Sequence, residues 1–261
     1  MLVYWRPFCC RYLAAMVSFR RQKCLTKHST RGLPPVYLGL GISMRLYHFL
    51  NEQFGLEDIR KRRLKVARID ELNDPFEFAG VNFKDRPLRD AFRKMKREIS
   101  QNSGLLCFST KWSNPVIWSH YADRHRGLCL GFDVADMSVG PVSYSGRRLA
   151  VELDSLRTPR DLSEEYVRKI LFTKYAHWRY ENEYRGFVTL DEVDEATGLY
   201  FVEFSERLIL RQVIIGAESA ISRKSLSEAL GEELQDVEQI KARLAFKSFS
   251  VVPQRSSKLW P

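Results

Sequence analysis

Apolar and polar positions alternate most strictly at residues 178–188, Trp-Arg-Tyr-Glu-Asn-Glu-Tyr-Arg-Gly-Phe-Val. Strand side chains repeat every two residues, so an extended chain sends Arg179, Glu181, Glu183 and Arg185 to one face. Trp178, Tyr180, Asn182 and Tyr184 then occupy the other. Two carboxylates one strand step apart lie about 6–7 Å from each other, given a rise of about 3.3 Å per residue. That spacing suits paired carboxylate work on a sugar centre. The competing reading is a solvated ladder of opposite charges over an aromatic face.

The same patterning predicts strands at 45–50, 64–69, 105–110, 128–134, 142–151, 199–204, 208–215 and 246–252. In the first, Tyr47 and Phe49 share a face and His48 takes the other. Helices are predicted at 52–63, 85–101, 116–124, 163–177, 222–230 and 233–245. Leu88, Phe92, Met95 and Ile99 recur every three or four residues and give the second helix one buried stripe. In the helix at 163–177, Tyr166, Ile170 and Tyr175 are expected to point inward. Ser113-Asn114-Pro115 is a helix start, with a capping side chain before a proline. Asn73-Asp74-Pro75 is a turn, because Asn and Asp bond their own backbone and proline fixes φ. Strands and helices mix without regular βαβ alternation or a glycine-rich phosphate loop, which disfavours a doubly wound sheet. The expected fold is α+β: a single domain of mixed, mostly antiparallel strands with flanking helices, spanning 44–261.

Composition adds a boundary. At 44% hydrophobic the 261-residue chain can fill a core, which excludes global disorder. Of the formal charge of +10, seven charges fall in residues 1–43 (Arg6, Arg11, Arg20, Arg21, Lys23, Lys27, Arg31), which contain no acid; +3 is left for residues 44–261. This basic leader is expected to be disordered: a targeting peptide, a basic arm for membrane or nucleic acid, or sequence ahead of a native start at Met44. The last is favoured, because Met44 opens directly into a strand pattern. No run reaches the roughly 18–20 apolar residues that span a membrane. Cys107 and Cys129 sit singly in apolar runs, without CxxC spacing or a histidine cluster, so no structural zinc site and a reducing, cytoplasmic setting are expected.

Leu46-Tyr47-His48, Asn73-Asp74-Pro75-Phe76-Glu77, Cys107-Phe108-Ser109, Trp118-Ser119-His120-Tyr121-Ala122 and Tyr180-Glu181-Asn182-Glu183-Tyr184-Arg185 form an ordered series. Over roughly 44–252 the chain resembles a bacterial family catalogued as a domain of unknown function, which names no activity. A weaker resemblance joins three of these elements, Tyr47-His48, Phe108-Ser109-Thr110 and Glu181-x-Glu183, to the ordered motifs of ADP-ribosyltransferases. Position 111 departs from that pattern, being Lys where Ser is expected. The resemblance implies an ADP-ribosyltransferase-like fold and NAD as substrate. Glu183 would be the catalytic carboxylate, Glu181 would assist the incoming nucleophile, and His48 would hold a ribose hydroxyl. Ser109 would support the nicotinamide pocket, and Tyr121 or Trp118 would stack on its ring. The implied partner is a protein or nucleic-acid acceptor, as for a toxin or defence effector. Two other functions compete: nucleic-acid binding through Arg60–Arg63, Arg93–Arg97 and the leader, and a non-catalytic interaction domain. His120 and His125, beside a charged turn, are expected at the surface.

Overall fold

The computed structural model describes residues 17–19, 43–78, 81–82, 86–150 and 163–260. Along it run β1 (Val17–Phe19), β2 (Ser43–Leu50), α1 (Glu52–Lys61), α2 (Arg86–Asn102), β3 (Ser103–Ser109), α3 (Pro115–Tyr121) and β4 (Leu128–Ala135). There follow α4 (Glu164–Leu171), β5 (Thr173–Tyr175), β6 (Glu183–Thr189), β7 (Leu208–Ile215), α5 (Arg223–Leu230), β8 (Glu238–Leu244) and β9 (Val251–Pro253). The main sheet has the order β1-β6-β3-β2-β4-β7-β8-β9. It is antiparallel except where β1 joins β6 and β8 joins β7.

Pairing is uneven across that sheet. β2 pairs with β4 along its whole length, from Ser43↔Ala135 to Leu50↔Leu128. β6 pairs with β3 from Glu183↔Ser109 to Thr189↔Ser103. Between these two halves β2 and β3 share one register pair, Tyr47↔Ser109. The sheet is therefore two half-sheets joined at a single bridge, with an opening where the strands part. At the far end of β3 the short strand Ala67–Arg68 pairs with Leu105 and Gly104.

The helices cover these halves through their apolar stripes. Ile59 of α1 and Leu226 of α5 pack on Leu46, Leu130, Phe132 and Val213. Phe92 and Ile99 of α2 and Ile170 of α4 pack on Leu105 and Phe187. On the opposite face of β4 and β7, Trp118 of α3 meets Cys129, Ile214, Ala242 and Val251. Side-chain caps start the helices: Asn51 accepts from Phe54 N, Asn114 from Val116 N, Ser163 from Tyr166 N and Ser222 from Ser225 N. After α3 the chain takes three left-handed residues in succession, Asp123, Arg124 and His125 (φ 43°, 54° and 69°). Each costs about 1–2 kcal/mol for an L-residue. The anchors are His125 N–H on Trp118 O (3.2 Å) and Gly127 N–H on Ala122 O (2.8 Å). A Cβ at Gly127 would stand 2.0 Å from Leu50 O, so the close approach requires glycine.

The α+β class, one domain and a mostly antiparallel sheet agree with the sequence reading. Several elements differ. The helix predicted at 163–177 ends at Leu171 and gives way to β5, so Tyr175 is 48% exposed instead of inward. The helix predicted at 233–245 is a short turn followed by β8. Its Glu, Lys, Ala and Arg favour helix, but the parallel ladder from Gln212↔Glu238 to Ile215↔Lys241 overrides that preference. The strand predicted at 246–252 shrinks to β9. Within residues 1–43, β1 pairs with Phe187 and Val188, and β2 begins at Ser43. The expectations for 1–16 and 20–42 lie outside the described residues. The strand predicted at 142–151 is broken into two short strands, Ser143–Ser145 and Leu149–Ala150, with Val151 beyond the described residues. No described helix is long and apolar enough to cross a membrane.

Asp58 of α1 is 2% exposed and accepts a 3.3 Å hydrogen bond from Lys65 N. Burial pushes its carboxyl up to about 7. The folded chain thus keeps a proton that the unfolded chain loses, so this residue withdraws stability as pH rises from about 4 to about 7. Asp58→Asn keeps the acceptor and removes the ionisation. Urea unfolding at pH 4.5 and 7.5 should show the variant gaining on wild type by about 3 kcal/mol at the higher pH relative to the lower. An equal difference at both pH values would refute this account.

Candidate functional site

Glu181 and Glu183 are not on one strand, contrary to the sequence reading. Ala176–Glu181 is a tight 3₁₀ segment, Asn182 is left-handed (φ 44°, ψ 52°), and β6 begins at Glu183. Asparagine is one of the few residues besides glycine that enter this conformation readily. Its carbonyl accepts from Thr110 N at 3.2 Å, which fixes the reversal to the end of β3. The turn brings both carboxylates to one ammonium. Lys174 Nζ lies 2.6 Å from Glu181 Oε2 and 3.2 Å from Glu183 Oε2, with Glu77 Oε2 at 3.8 Å.

The strand alternation does hold between Glu183 and Arg185, which share a face two residues apart. Arg185 Nε and Nη2 grip the two oxygens of Glu183, each at 2.9 Å. Its Nη1 donates to Glu77 Oε1 at 2.7 Å and to Leu171 O, at the C-terminus of α4, at 3.0 Å. Arg185 is 1% exposed, and Glu77, Glu181 and Glu183 are all buried. Glu77 arrives on the turn at 73–78. There Asp74 Oδ1 accepts from Phe76 N at 2.8 Å, and Lys96 of α2 donates to Glu77 O at 2.6 Å. Phe78 ends that turn in left-handed backbone (φ 56°), an unusual conformation for a bulky side chain, and packs 5.6 Å from the Arg185 guanidinium.

Charges in this cluster do not cancel: three carboxylates face two cations. Burial raises the Glu183 carboxyl, but Arg185 and Lys174 outweigh it and hold the group down at about 2. For Glu181 burial wins over Lys174 and the carboxyl titrates above its ordinary range. Tyr121 donates to Glu181 Oε1 at 2.5 Å, and burial together with Glu181 keeps its phenol protonated. Tyr144 accepts from Glu183 N at 2.8 Å, and burial pushes its phenol up to about 12. Lys174 stays charged: burial lowers it, but Glu183, Glu181 and Glu77 raise it further. The Cys107 thiol is driven up by burial and by Glu183, so it is no thiolate nucleophile.

A cavity of about 240 Å³ opens beside this cluster, where β2 and β3 part. It is lined by His48, Ser109, Tyr121, Glu181 and Glu183, as well as Asp74, Glu77, Lys174 and Arg185. Five of the six sequence-predicted residues are therefore brought together. Two of them are already engaged by backbone. His48 Nδ1 bonds Cys107 O at 2.8 Å, and Ser109 Oγ donates to Lys111 O and accepts from Lys111 N. A carbonyl only accepts, so Nδ1 carries the proton and Nε2 is the ring's acceptor; burial lowers the imidazole pKa and keeps it neutral. Asp74 is 6% exposed and its Oδ2 has no partner.

Trp118 is the exception. It is fully buried in the core, donates to Trp112 O at 2.6 Å and meets Phe49 edge-on, so it offers no ring to a ligand. The fixed end of α3 directs this indole inward while Tyr121, one turn on, faces the cavity. His125 is half-buried against Trp118, whereas His120 is exposed and pairs with Tyr180 Oη at 2.8 Å. Sequence reasoning missed Lys174 and the role of Glu77. The first sat inside a predicted helix, and the second was read only as part of a turn. Among the described residues no group of His, Cys, Asp and Glu could hold a metal ion. Comparison with protein-family models, curated proteins and solved structures found no match.

Removing Lys174 leaves three buried carboxylates facing Arg185 alone. Lys174→Met should cost about 3–5 kcal/mol in urea unfolding, the usual penalty for an uncompensated buried charge. Adding Glu181→Gln should return a large part of that loss. An unchanged midpoint in the single variant would show that the ammonium does not organise the cluster.

Proposed function

We propose that the chain is an NAD-consuming transferase of the ADP-ribosyltransferase type, which passes ADP-ribose to a protein or nucleic-acid acceptor. The observation that carries this reading is convergence. His48, Ser109, Tyr121, Glu181 and Glu183 come from separate elements and line one cavity. A cavity of this size lies below the about 300–1,000 Å³ of drug-sized pockets, so it suits the nicotinamide ring and its ribose. The rest of the dinucleotide would lie outside its mouth.

The geometry argues for exchanging the roles first assigned to the two glutamates. Glu183 is saturated by a two-pronged guanidinium and by Lys174, so it serves as a fixed anchor. Glu181 has the raised pKa and becomes the working carboxylate. In the reaction the bond between ribose C1′ and the pyridinium nitrogen breaks, and its electron pair leaves with neutral nicotinamide. Positive charge gathers on the ribose, where a carboxylate stabilises it. The acceptor attacks C1′ and loses its proton to Glu181. His48 Nε2 and Asp74 Oδ2 accept hydrogen bonds from ligand hydroxyl or amide groups. Tyr121 supplies the aromatic surface.

A non-catalytic interaction domain is the second reading. It is favoured by the backbone bonds that already occupy Ser109 Oγ and His48 Nδ1. Nicotinamide release separates the two. Full-length chain, NAD and cell extract should release nicotinamide, and Glu181→Gln should lower the rate by about 100-fold or more, as for loss of a general base with its charge. Because Glu181 acts ionised, activity should fall as pH drops through its raised pKa. Asp74→Asn should weaken NAD binding by about tenfold, the worth of one hydrogen bond to a charged group. Neither release nor NAD binding from wild type would remove the transferase reading and leave the interaction domain.

A further inference from the structure

A second feature lies away from the cavity, at the hairpin that joins β8 to β9. Its loop is closed by Ala245 N–H on Ser250 O (2.9 Å) and Ser250 N–H on Ser248 O (2.9 Å). Its base is tied to the body by Val251 N–H on Ser113 O (2.8 Å). On this braced tip Phe246 is 92% exposed and Phe249 fully exposed, with Leu244 half exposed beside them. Large apolar rings held in water at a rigid tip mark a contact surface.

The charge around the rings is of one sign. From residue 239 onward the chain carries Lys241, Arg243, Lys247, Arg255 and Lys258 and no Asp or Glu. Lys241 is turned inward onto Gly216 O and Ser219 O. Arg243, Lys247 and Arg255 line a concave groove with Phe246, Val252 and Pro253. The Arg243 guanidinium lies over the Phe246 ring at 4.8 Å from its centre. By contrast, four of the eight cations in the basic runs singled out from sequence are held by carboxylates. Lys61, Arg62, Arg63 and Arg93 pair with Glu57, Glu233, Asp194 and Asp90.

We propose that the β8–β9 hairpin binds single-stranded nucleic acid. Phe246 and Phe249 are platforms on which successive bases stack, and Arg243, Lys247 and Arg255 follow the phosphates. The groove favours a strand over a lipid surface because it is concave and its cations flank the rings. Stacking needs unpaired bases, so duplex binds less well than single strand. This surface stands on its own observations and does not depend on the transferase reading.

The test uses full-length chain and fluorescein-labelled mixed-sequence RNA and DNA oligonucleotides of about 12 nucleotides, read by anisotropy. Phe246→Ala with Phe249→Ala should weaken binding by tenfold or more, in the range of losing about 1–3 kcal/mol per stacked base. Lys247→Ala or Arg255→Ala should each lower the salt-dependence slope by about 0.7, the value for one single-strand phosphate contact. The substituted side chains are in solvent, and an unchanged melting temperature confirms that the variants fold. The leader's basic residues contribute equally to every variant, so the differences read the hairpin. The proposal is overturned if the double variant binds single strands as wild type does, or if duplex is preferred. It is also overturned if the rings are needed only for binding phosphatidylserine vesicles, or only for self-association seen by sedimentation.

Discussion

The guanidinium of Arg185 is the interaction on which the rest of this structure depends. A buried charge is tolerated only with partners on most of its donors. Here the partners come from three places: Glu183 on the same strand, Glu77 from a turn 108 residues away, and Leu171 O at the end of α4. Each partner drags its element with it. β6, the 73–78 turn and α4 are thereby set around one point, and β6 and the turn enclose the cavity together with β2, β3 and α3. Such a cluster adds little net stability compared with apolar packing, and its contribution is to define which segments must meet.

A second constraint is the single bridge between the half-sheets. Where β2 leaves β3, backbone groups lose their ladder partners and need others. His48 Nδ1 takes the carbonyl of Cys107, and the short strand Ala67–Arg68 takes the far end of β3. The residues that line the opening are therefore also the ones that stabilise it. A structural hydrogen bond on His48 does not remove it from the site, since it fixes the tautomer and directs Nε2 as an acceptor.

These two constraints explain what could be read from the chain. The periodicities of β2, β4, β7, α1 and α2 are local and strong, and those elements appear close to where they were predicted. The pairing of Glu183 with Arg185 is also local, because strand spacing places them on one face. Asn182 carried a readable signal for the break before β6, since asparagine enters left-handed backbone, but the flanking alternation of polar and aromatic residues hid it. Lys174 had no local signal. It lies in Phe-Thr-Lys-Tyr, continuous with a helical pattern, and its meaning comes from carboxylates that only folding brings near. Glu77 was equally silent, because its partner is remote in sequence. Trp118 failed for a different reason: helical spacing told that Trp118 and Tyr121 lie one turn apart, not which of them faces the core.

The two glutamates illustrate how one residue type acquires two opposite titration behaviours. They are separated by one residue and share an ammonium, yet burial and partner geometry divide them. Glu183 meets a planar fork that matches both of its oxygens, so its ionised form is held far more strongly than burial disfavours it. Glu181 meets only the point charge of Lys174 and a phenol, and burial prevails. With three carboxylates and two cations, the uncompensated charge falls on the group with the weaker grip. That group borders the cavity and shares its wall with the unpartnered oxygen of Asp74. An acidic pocket with acceptors to spare favours a ligand that brings positive charge and hydrogen-bond donors. The pyridinium, amide and ribose hydroxyls of the proposed NAD substrate would bring both.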